Sequence, residues 1–283
     1  MSRRAVLVTG ASRGIGRATA QAFATAGDLV AVNYRDSATE AAEVVQSLPG
    51  SGHVSIQADL ADPEAAKPLV DATVKALGGL DVLVNNAGIS LLHDITDGDF
   101  EAWRKAWDRT LAVNLSGPAF VTYWAVQQML GRGGRIINIS SRGAFRGEPD
   151  QPAYGASKAG LNAFGQSLAR ALGSHGITVM TIAPGWVATD MSQEALKRPE
   201  GAEILSQSPF GRMARPEEVA AATSFFASPE AEFTSGAVLD LNADLLDGLH
   251  AFKTAYKATW LVTKHQHRTP AEARLALTAE QAA

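Results

Sequence analysis

The stretch Ala5-Val6-Leu7-Val8-Thr9-Gly10-Ala11-Ser12-Arg13-Gly14-Ile15-Gly16 constrains the fold of this chain more than any other. Its first four residues are apolar and read as a buried strand, which runs directly into a glycine loop. An Ala-rich segment follows, Arg17 to Ala26, with apolar Ala18, Ala22 and Phe23 at helical spacing and Gly27 placed as a stop. The unit is strand, glycine loop, helix. In such a unit Gly10 permits the tight turn, while Gly14 and Gly16 let backbone approach a ligand and helix pack on strand. The helix N-terminus offers unpaired N–H groups to phosphate, so a dinucleotide pyrophosphate is the expected ligand. The spacing is GxxxGxG rather than GxGxxG; the mechanism carries over although the letters differ.

A second feature carries chemistry. Tyr154 and Lys158 stand four residues apart, which on a helix places a phenol and an ammonium on one face. A fixed cation favours the phenolate and lowers a pKa that is ordinarily about 10. Such a pair suits proton transfer at the oxygen of a carbonyl or an alcohol.

Taken in order, Thr9 to Gly16, Asn85-Asn86-Ala87-Gly88, Asn114, Ser141, Tyr154 with Lys158, and Pro184-Gly185 resemble the motifs of the short-chain dehydrogenase/reductase family. The resemblance is to its compact single-domain branch and runs from Ala5 to Asn242. It implies an α/β fold, a Rossmann-type doubly wound parallel sheet of about seven strands flanked by helices. Residues 1–244 would form that domain and residues 245–283 a C-terminal extension. It also implies that Tyr154 passes a proton to or from the substrate oxygen and that Lys158 holds the ribose hydroxyls while keeping the phenol acidic. Ser141 would polarise the same oxygen, and Asn114 would hold a proton-relay water. Neighbouring Ser140 points to the opposite face, so only one of the two serines can enter the site; the family spacing selects Ser141. The cofactor set implied is Gly10, Ser12, Arg13, Gly14, Ile15 and Gly16 in the loop, Asn86, Ala87 and Gly88 after the fourth strand, and Pro184, Gly185, Val187 and Thr189, together with Tyr154 and Lys158. Asp59 and Leu60 would meet the adenine.

Arg35, after the second strand, suits a ribose 2′-phosphate, and Arg13 can reach the same region. NADP(H) is therefore the preferred cofactor, with NAD(H) kept open by Asp36. Asp59 is equally readable as a helix cap, but Asp62 before Pro63 is the better cap and leaves Asp59 free.

The substrate wall is expected from Met191 to Arg215, whose Leu196, Ile204, Leu205, Phe210 and Met213 suggest a partly apolar ligand, and from Gly143 to Glu148 opposite. Much of the body is similar to 3-oxoacyl-acyl-carrier-protein reductases. Arg132 matches a basic position by which that branch docks its acidic carrier, whereas the other falls at His175, a weaker cation. A carrier-bound substrate and a free ketone or ketoester both stay open. In the tail, Leu245, Leu249, Phe252, Tyr256 and Trp260 recur at helical spacing, and Thr269-Pro270-Ala271-Glu272 resembles a capping box. A helix covering a subunit or substrate site is one reading and a frayed appendage the other.

The remaining composition excludes several classes. The net charge of −4 is interspersed, which gives no basic stripe for nucleic acid. There is no cysteine, hence no disulfide and no thiolate metal site, as in a cytoplasmic protein. His265 and His267 lack further ligands nearby, and no metal is expected. The apolar run after Met1 to Arg4 breaks at Thr9 and Gly10, and no segment is long enough to span a membrane. The expected protein is an NADPH-dependent carbonyl reductase, homotetrameric or homodimeric by resemblance. The alternatives are an alcohol dehydrogenase working mainly in the oxidative direction and, in another class, a catalytically silent dinucleotide-binding regulator, against which both Tyr154 and Lys158 speak.

Overall fold

The structure is a computed structural model and describes residues 3–192, 208 and 210–242. β1 (Ala5–Val8) leads into α1 (Gly14–Thr25), and the alternation continues through β2 (Leu29–Tyr34), α2 (Ala38–Ser47), β3 (Val54–Gln57), α3 (Ala66–Leu77) and β4 (Val82–Asn85). The second half comprises α4 (Phe100–Leu111), α5 (Gly117–Met129), β5 (Gly134–Ile139), α6 (Gly143–Arg146), α7 (Pro152–Leu172), β6 (Ile177–Pro184), α8 (Pro216–Phe226) and β7 (Val238–Leu241). The seven strands form one parallel sheet, as the sequence leads one to expect, and their order is β3-β2-β1-β4-β5-β6-β7.

Burial explains the pattern. Every residue of β1, β4 and β6 is buried, because helices cover both faces of a parallel sheet and its inner strands read as continuous apolar runs. At the edge, β3 alternates instead, with Val54 and Ile56 turned inward and Ser55 and Gln57 exposed. Alternate residues of one strand feed opposite layers. Val6 and Val8 join Phe23, Val32, Ile137 and Phe226 on one side. Leu7 joins Leu69, Leu83, Val121, Met129 and Ile136 on the other.

The chain winds outward from β1 through β2 to β3, then returns to place β4 on the other flank of β1. Open α/β sheets bind their ligands at such a reversal, outside the carboxyl ends of the strands, here those of β1 and β4.

Three local boundaries bear on the site. α1 begins at Gly14 rather than Arg17, since the end of the glycine loop is already helical. β5 ends at Ile139, so Ser140 and Ser141 lie beyond it. The stretch around Asn114 is a π turn, Ala112–Ser116, between α4 and α5. Leu196, Ile204, Leu205, the tail and its boundary at residue 244 lie outside the described residues. Among the described residues no helix is long and apolar enough to cross a membrane.

Candidate active site

α7 opens with Pro152 at its first turn and presents Tyr154 and Lys158 on one face. Lys158 is 4% exposed; its Nζ donates to the Ile139 carbonyl at 2.8 Å and lies 5.8 Å from the centroid of the Tyr154 ring. Burial holds the Lys158 ammonium down to about 8. Tyr154 is half-buried, and desolvation pushes its phenol up, while a hydrogen bond with the Ser141 hydroxyl and the Arg142 charge pull the other way. The sequence predicts a phenol lowered by the lysine. Burial outweighs the neighbouring charges, and the pair sits as a neutral phenol beside a weakened ammonium.

The two serines after β5 face opposite ways. Ser140 Oγ donates to the Lys158 carbonyl at 3.1 Å and is spent on α7. Ser141 Oγ accepts from the Gly143 N–H at 3.1 Å and lies against the phenol. Asn114 is fully buried at the π turn. Its Oδ1 accepts from the Ile89 N–H at 2.8 Å, and its Nδ2 donates to the Ile89 carbonyl at 2.9 Å and to Ser157 Oγ at 3.2 Å. Both amide hydrogens are thus used, and the second lone pair of Oδ1 is the acceptor its side chain has left. A Cβ on Gly88 would lie 3.4 Å from Lys158 Nζ and 3.5 Å from Asn114 Oδ1. Glycine there keeps the space above these two groups open.

The glycine loop lies at the same edge. Gly10 has φ of 61°, and a Cβ on it would stand 2.8 Å from the Ala87 Cα. Asn86 binds the loop to β4, donating from Nδ2 to the carbonyls of Thr9 and Gly10 at 2.8 and 3.1 Å. Ser12 and Leu60 are buried, and Ile15 packs against the core. α1 starts without a capping side chain and without an acidic residue in its first turn, so its first N–H groups are available to an anion. A Cβ on Gly14 would be 3.2 Å from Thr189 Cγ2, and Thr189 follows Pro184, Gly185 and Val187 at the end of β6. A dinucleotide fits this edge: a bare helix terminus for phosphates lies in the middle, with Arg35 and Asp59 at one end and Tyr154 and Lys158 at the other.

At the adenosine end the structure departs from two expectations. Arg35 forms an ion pair with Asp36, so the arginine and the acid that argue for different cofactors neutralise one another in part. Asp62 does cap, accepting from the Glu64 N–H at 3.0 Å, but Asp59 is not free. Its Oδ1 accepts from the Ala61 N–H at 3.0 Å, and Arg109 Nη2 bonds both carboxylate oxygens at 3.2 and 2.9 Å. An ionised carboxylate is a strong acceptor, and two donors brought close by the fold find it.

Three residues at this edge escape a reading of the sequence. Asn33, buried in β2, accepts from the Gly10 N–H at 3.1 Å, and an amide closing an apolar strand is the signal that marks it. His93 accepts from the Ala153 N–H through Nε2 at 3.1 Å, while its Nδ1 pairs with the Leu91 carbonyl at 2.7 Å, which fixes the neutral tautomer. Nothing in the sequence announces this latch, nor the partnership of Arg109.

On the substrate side, the turn of α6 places Arg142 and Glu148 near Tyr154. Arg142 is buried, with its guanidinium 4.9 Å over the Trp186 ring; burial raises the Glu148 carboxyl against the charges of Arg142 and Arg146. A cavity of about 380 Å³ lies beyond the Pro-Gly turn, lined by Trp186, Phe210, Met213, Asp240 and Asn242 among others, but not by Ser141, Tyr154 or Lys158. Among the described residues no cluster of acidic or histidine side chains could hold a metal.

Comparison with known proteins agrees with the fold. The family model described as enoyl-(acyl carrier protein) reductase matches residues 10–243. A 3-oxoacyl-acyl-carrier-protein reductase of Synechocystis sp. is 37% identical over 250 residues, covering 87% of this chain and 98% of that one. An L-rhamnose 1-dehydrogenase (NAD(P)(+)) of Sphingomonas sp. is 38% identical, covering 87% and 95%. A short-chain dehydrogenase from Burkholderia cenocepacia, solved in complex with NADP, superposes with a TM-score of 0.77 at 37% identity, covering 85% of this chain and 96% of that one.

Proposed function

This chain belongs to the short-chain dehydrogenase/reductase family, NAD(P)-dependent oxidoreductases acting on CH–OH or C=O groups, and from that membership we propose that it is an NADPH-dependent carbonyl reductase. The observation that carries the reading is the convergence of Ser141, Tyr154 and a buried Lys158 at the sheet edge to which the glycine loop opens.

When bound, the reduced nicotinamide supplies a hydride to the carbonyl carbon. Everything else falls to the chain. The Ser141 hydroxyl donates a hydrogen bond to the substrate oxygen and orients it toward Tyr154. The Tyr154 phenol gives its proton to that oxygen as negative charge develops there. Lys158, confined where the local dielectric is low, stabilises the phenolate left behind and offers its ammonium hydrogens to the ribose hydroxyls. Asn114 holds the Gly88–Ile89 backbone in place beside both. Pro184, Gly185, Val187 and Thr189 would hold the carboxamide, and Arg13 and Arg35 the 2′-phosphate, in keeping with the NADP complex of the Burkholderia cenocepacia relative.

Two relatives point at different substrates. The reductase relative supports a 3-oxoacyl-type ketone, but here Arg132 is shared with Asp81, 3.6 Å away, and the second basic position is His175. A free ketone is therefore the better fit than a carrier-bound one. The rhamnose dehydrogenase relative favours a second reading, oxidation of a hydroxylated substrate. We place the protein in a homotetramer or homodimer, as its family resemblance suggests. The test is NADPH and NADH consumption against β-ketoesters, acyl thioesters, cyclic ketones and aromatic ketones, with sugar oxidation assayed in reverse. Turnover of a free ketone with NADPH, lost in Tyr154→Phe, supports the proposal; turnover confined to sugar oxidation supports the second reading.

A further inference from the structure

The pair Arg109 and Asp59 joins α4 to the turn after β3, two elements that lie fifty residues apart in sequence. Both side chains are about one-third exposed, so the pair lies at the surface, just past the carboxyl end of β3, rather than in the core. Surface ion pairs as such stabilise little. This one is bound more specifically than stability requires. A carboxylate has about four lone-pair positions. On Asp59 the Ala61 N–H and Arg109 take both on Oδ1, and Arg109 takes one on Oδ2. One acceptor position remains, on Oδ2, and its direction is set by the arginine.

The surroundings favour a role in binding. Partial burial alone would raise the Asp59 carboxyl, but the Ala61 N–H and Arg109 outweigh it, with help from the Arg35 charge, and hold it below the usual carboxylate range. The group therefore stays an ionised, acceptor-only carboxylate near neutral pH, and it lies near enough to Arg35 to feel its field. The next residue, Leu60, is pressed so closely against α5 that a Cβ on Gly117 would stand 2.5 Å from the Leu60 carbonyl, which leaves this turn little freedom to move.

We infer that Arg109 is a positioning residue for the adenine end of the cofactor, orienting Asp59 so that the free lone pair of Oδ2 accepts a hydrogen bond from the purine amino group. The inference rests on the proposed cofactor reading. A carboxylate so held selects a purine with an amino group and rejects one with a carbonyl at the same position, because two acceptors then face each other.

The test is a fluorescence titration of the protein with NADPH and with its 6-deamino analogue, in which hypoxanthine replaces adenine, read as a ratio of dissociation constants. No substrate is needed. The wild-type ratio is expected at roughly tenfold in favour of NADPH, the factor that one charge-assisted hydrogen bond carries. In Arg109→Gln it should fall to about one to two; in Arg109→Lys, which keeps the charge but loses the fixed N–H directions of the Nη2 group that bonds both oxygens, it should fall part of the way. A Gln variant that retains the wild-type ratio overturns the inference and leaves the pair a structural brace, even if its melting temperature drops. Should Arg109→Gln not fold, an Arg109→Lys protein that retains the wild-type ratio overturns the inference in the same way. A wild-type protein that binds both cofactors equally overturns the inference while the proposed function stands. Binding of neither overturns both.

Discussion

Burial holds the Lys158 ammonium down to about 8, whereas the same lysine in the unfolded chain titrates near 10.5. Between those values the unfolded chain binds the proton more tightly, so the stability contributed by this group rises with pH through that window, and below about 8 the full penalty of a buried charge is present. Lys158→Met should therefore stabilise the cofactor-free protein at pH 7, by at most about 3 kcal/mol and less once its bond to the Ile139 carbonyl is forfeited. The same change should abolish turnover and weaken NADPH binding, so a thermal melt and a binding titration on one variant check both. Since reduction requires the charged lysine, kcat/KM for the cofactor should fall as pH rises through about 8. Tyr154→Phe should lower kcat by roughly 10²–10⁴ while leaving the dissociation constant of NADPH within a few fold. At this scale the sequence was legible where chemistry is local: four-residue spacing on α7 brings Tyr154 and Lys158 together whatever the rest of the chain does. It was silent on His93 and Arg109, whose partners Ala153 and Asp59 come from elsewhere in the fold, and it marked Asn33 only as an amide closing an apolar strand without pointing to Gly10.

Among the elements, the strand, glycine loop and first helix were readable because three glycines and an apolar run admit few conformations. Gly10→Ala would place a side chain at positive φ and against the Ala87 backbone. The expected cost is about 1–3 kcal/mol in a urea titration, with a loss of at least roughly tenfold in NADPH affinity. The π turn at Asn114 was not readable, since the local spacing does not distinguish it from the α-helices on either side. The start of α7 depends on an equally remote contact. His93→Ala leaves the Ala153 N–H unpaired one residue before Tyr154. We expect a loss of about 1–3 kcal/mol and a lower kcat, and His93→Gln, which can still accept, should recover part of each.

The whole molecule follows from burial. The inner strands are buried along their whole length and mostly apolar, whereas the β3 edge alternates, so the chain's own pattern distinguished the centre of the sheet from that edge. What pins the periphery was less visible. Arg4 bonds both oxygens of the buried Asp28 at 3.0 and 2.6 Å and also the Ala227 carbonyl at 2.6 Å, tying the first strand to α8 across most of the chain. Arg4→Ala strands that carboxylate, and the denaturation midpoint should fall by the equivalent of about 2–4 kcal/mol. Hydride delivery to a ketone, with Tyr154 as the proton donor, is followed atom by atom through isotope transfer. NADPH carrying deuterium on the transferable C4 position is incubated with wild-type protein and the ketone panel, and the alcohol products are analysed by mass spectrometry and NMR. We expect one deuterium on the carbinol carbon with wild type and none above background with Tyr154→Phe. A wild-type protein that binds NADPH yet transfers no deuterium to any ketone, or a Tyr154→Phe variant that transfers it as fast as wild type, would contradict this mechanism.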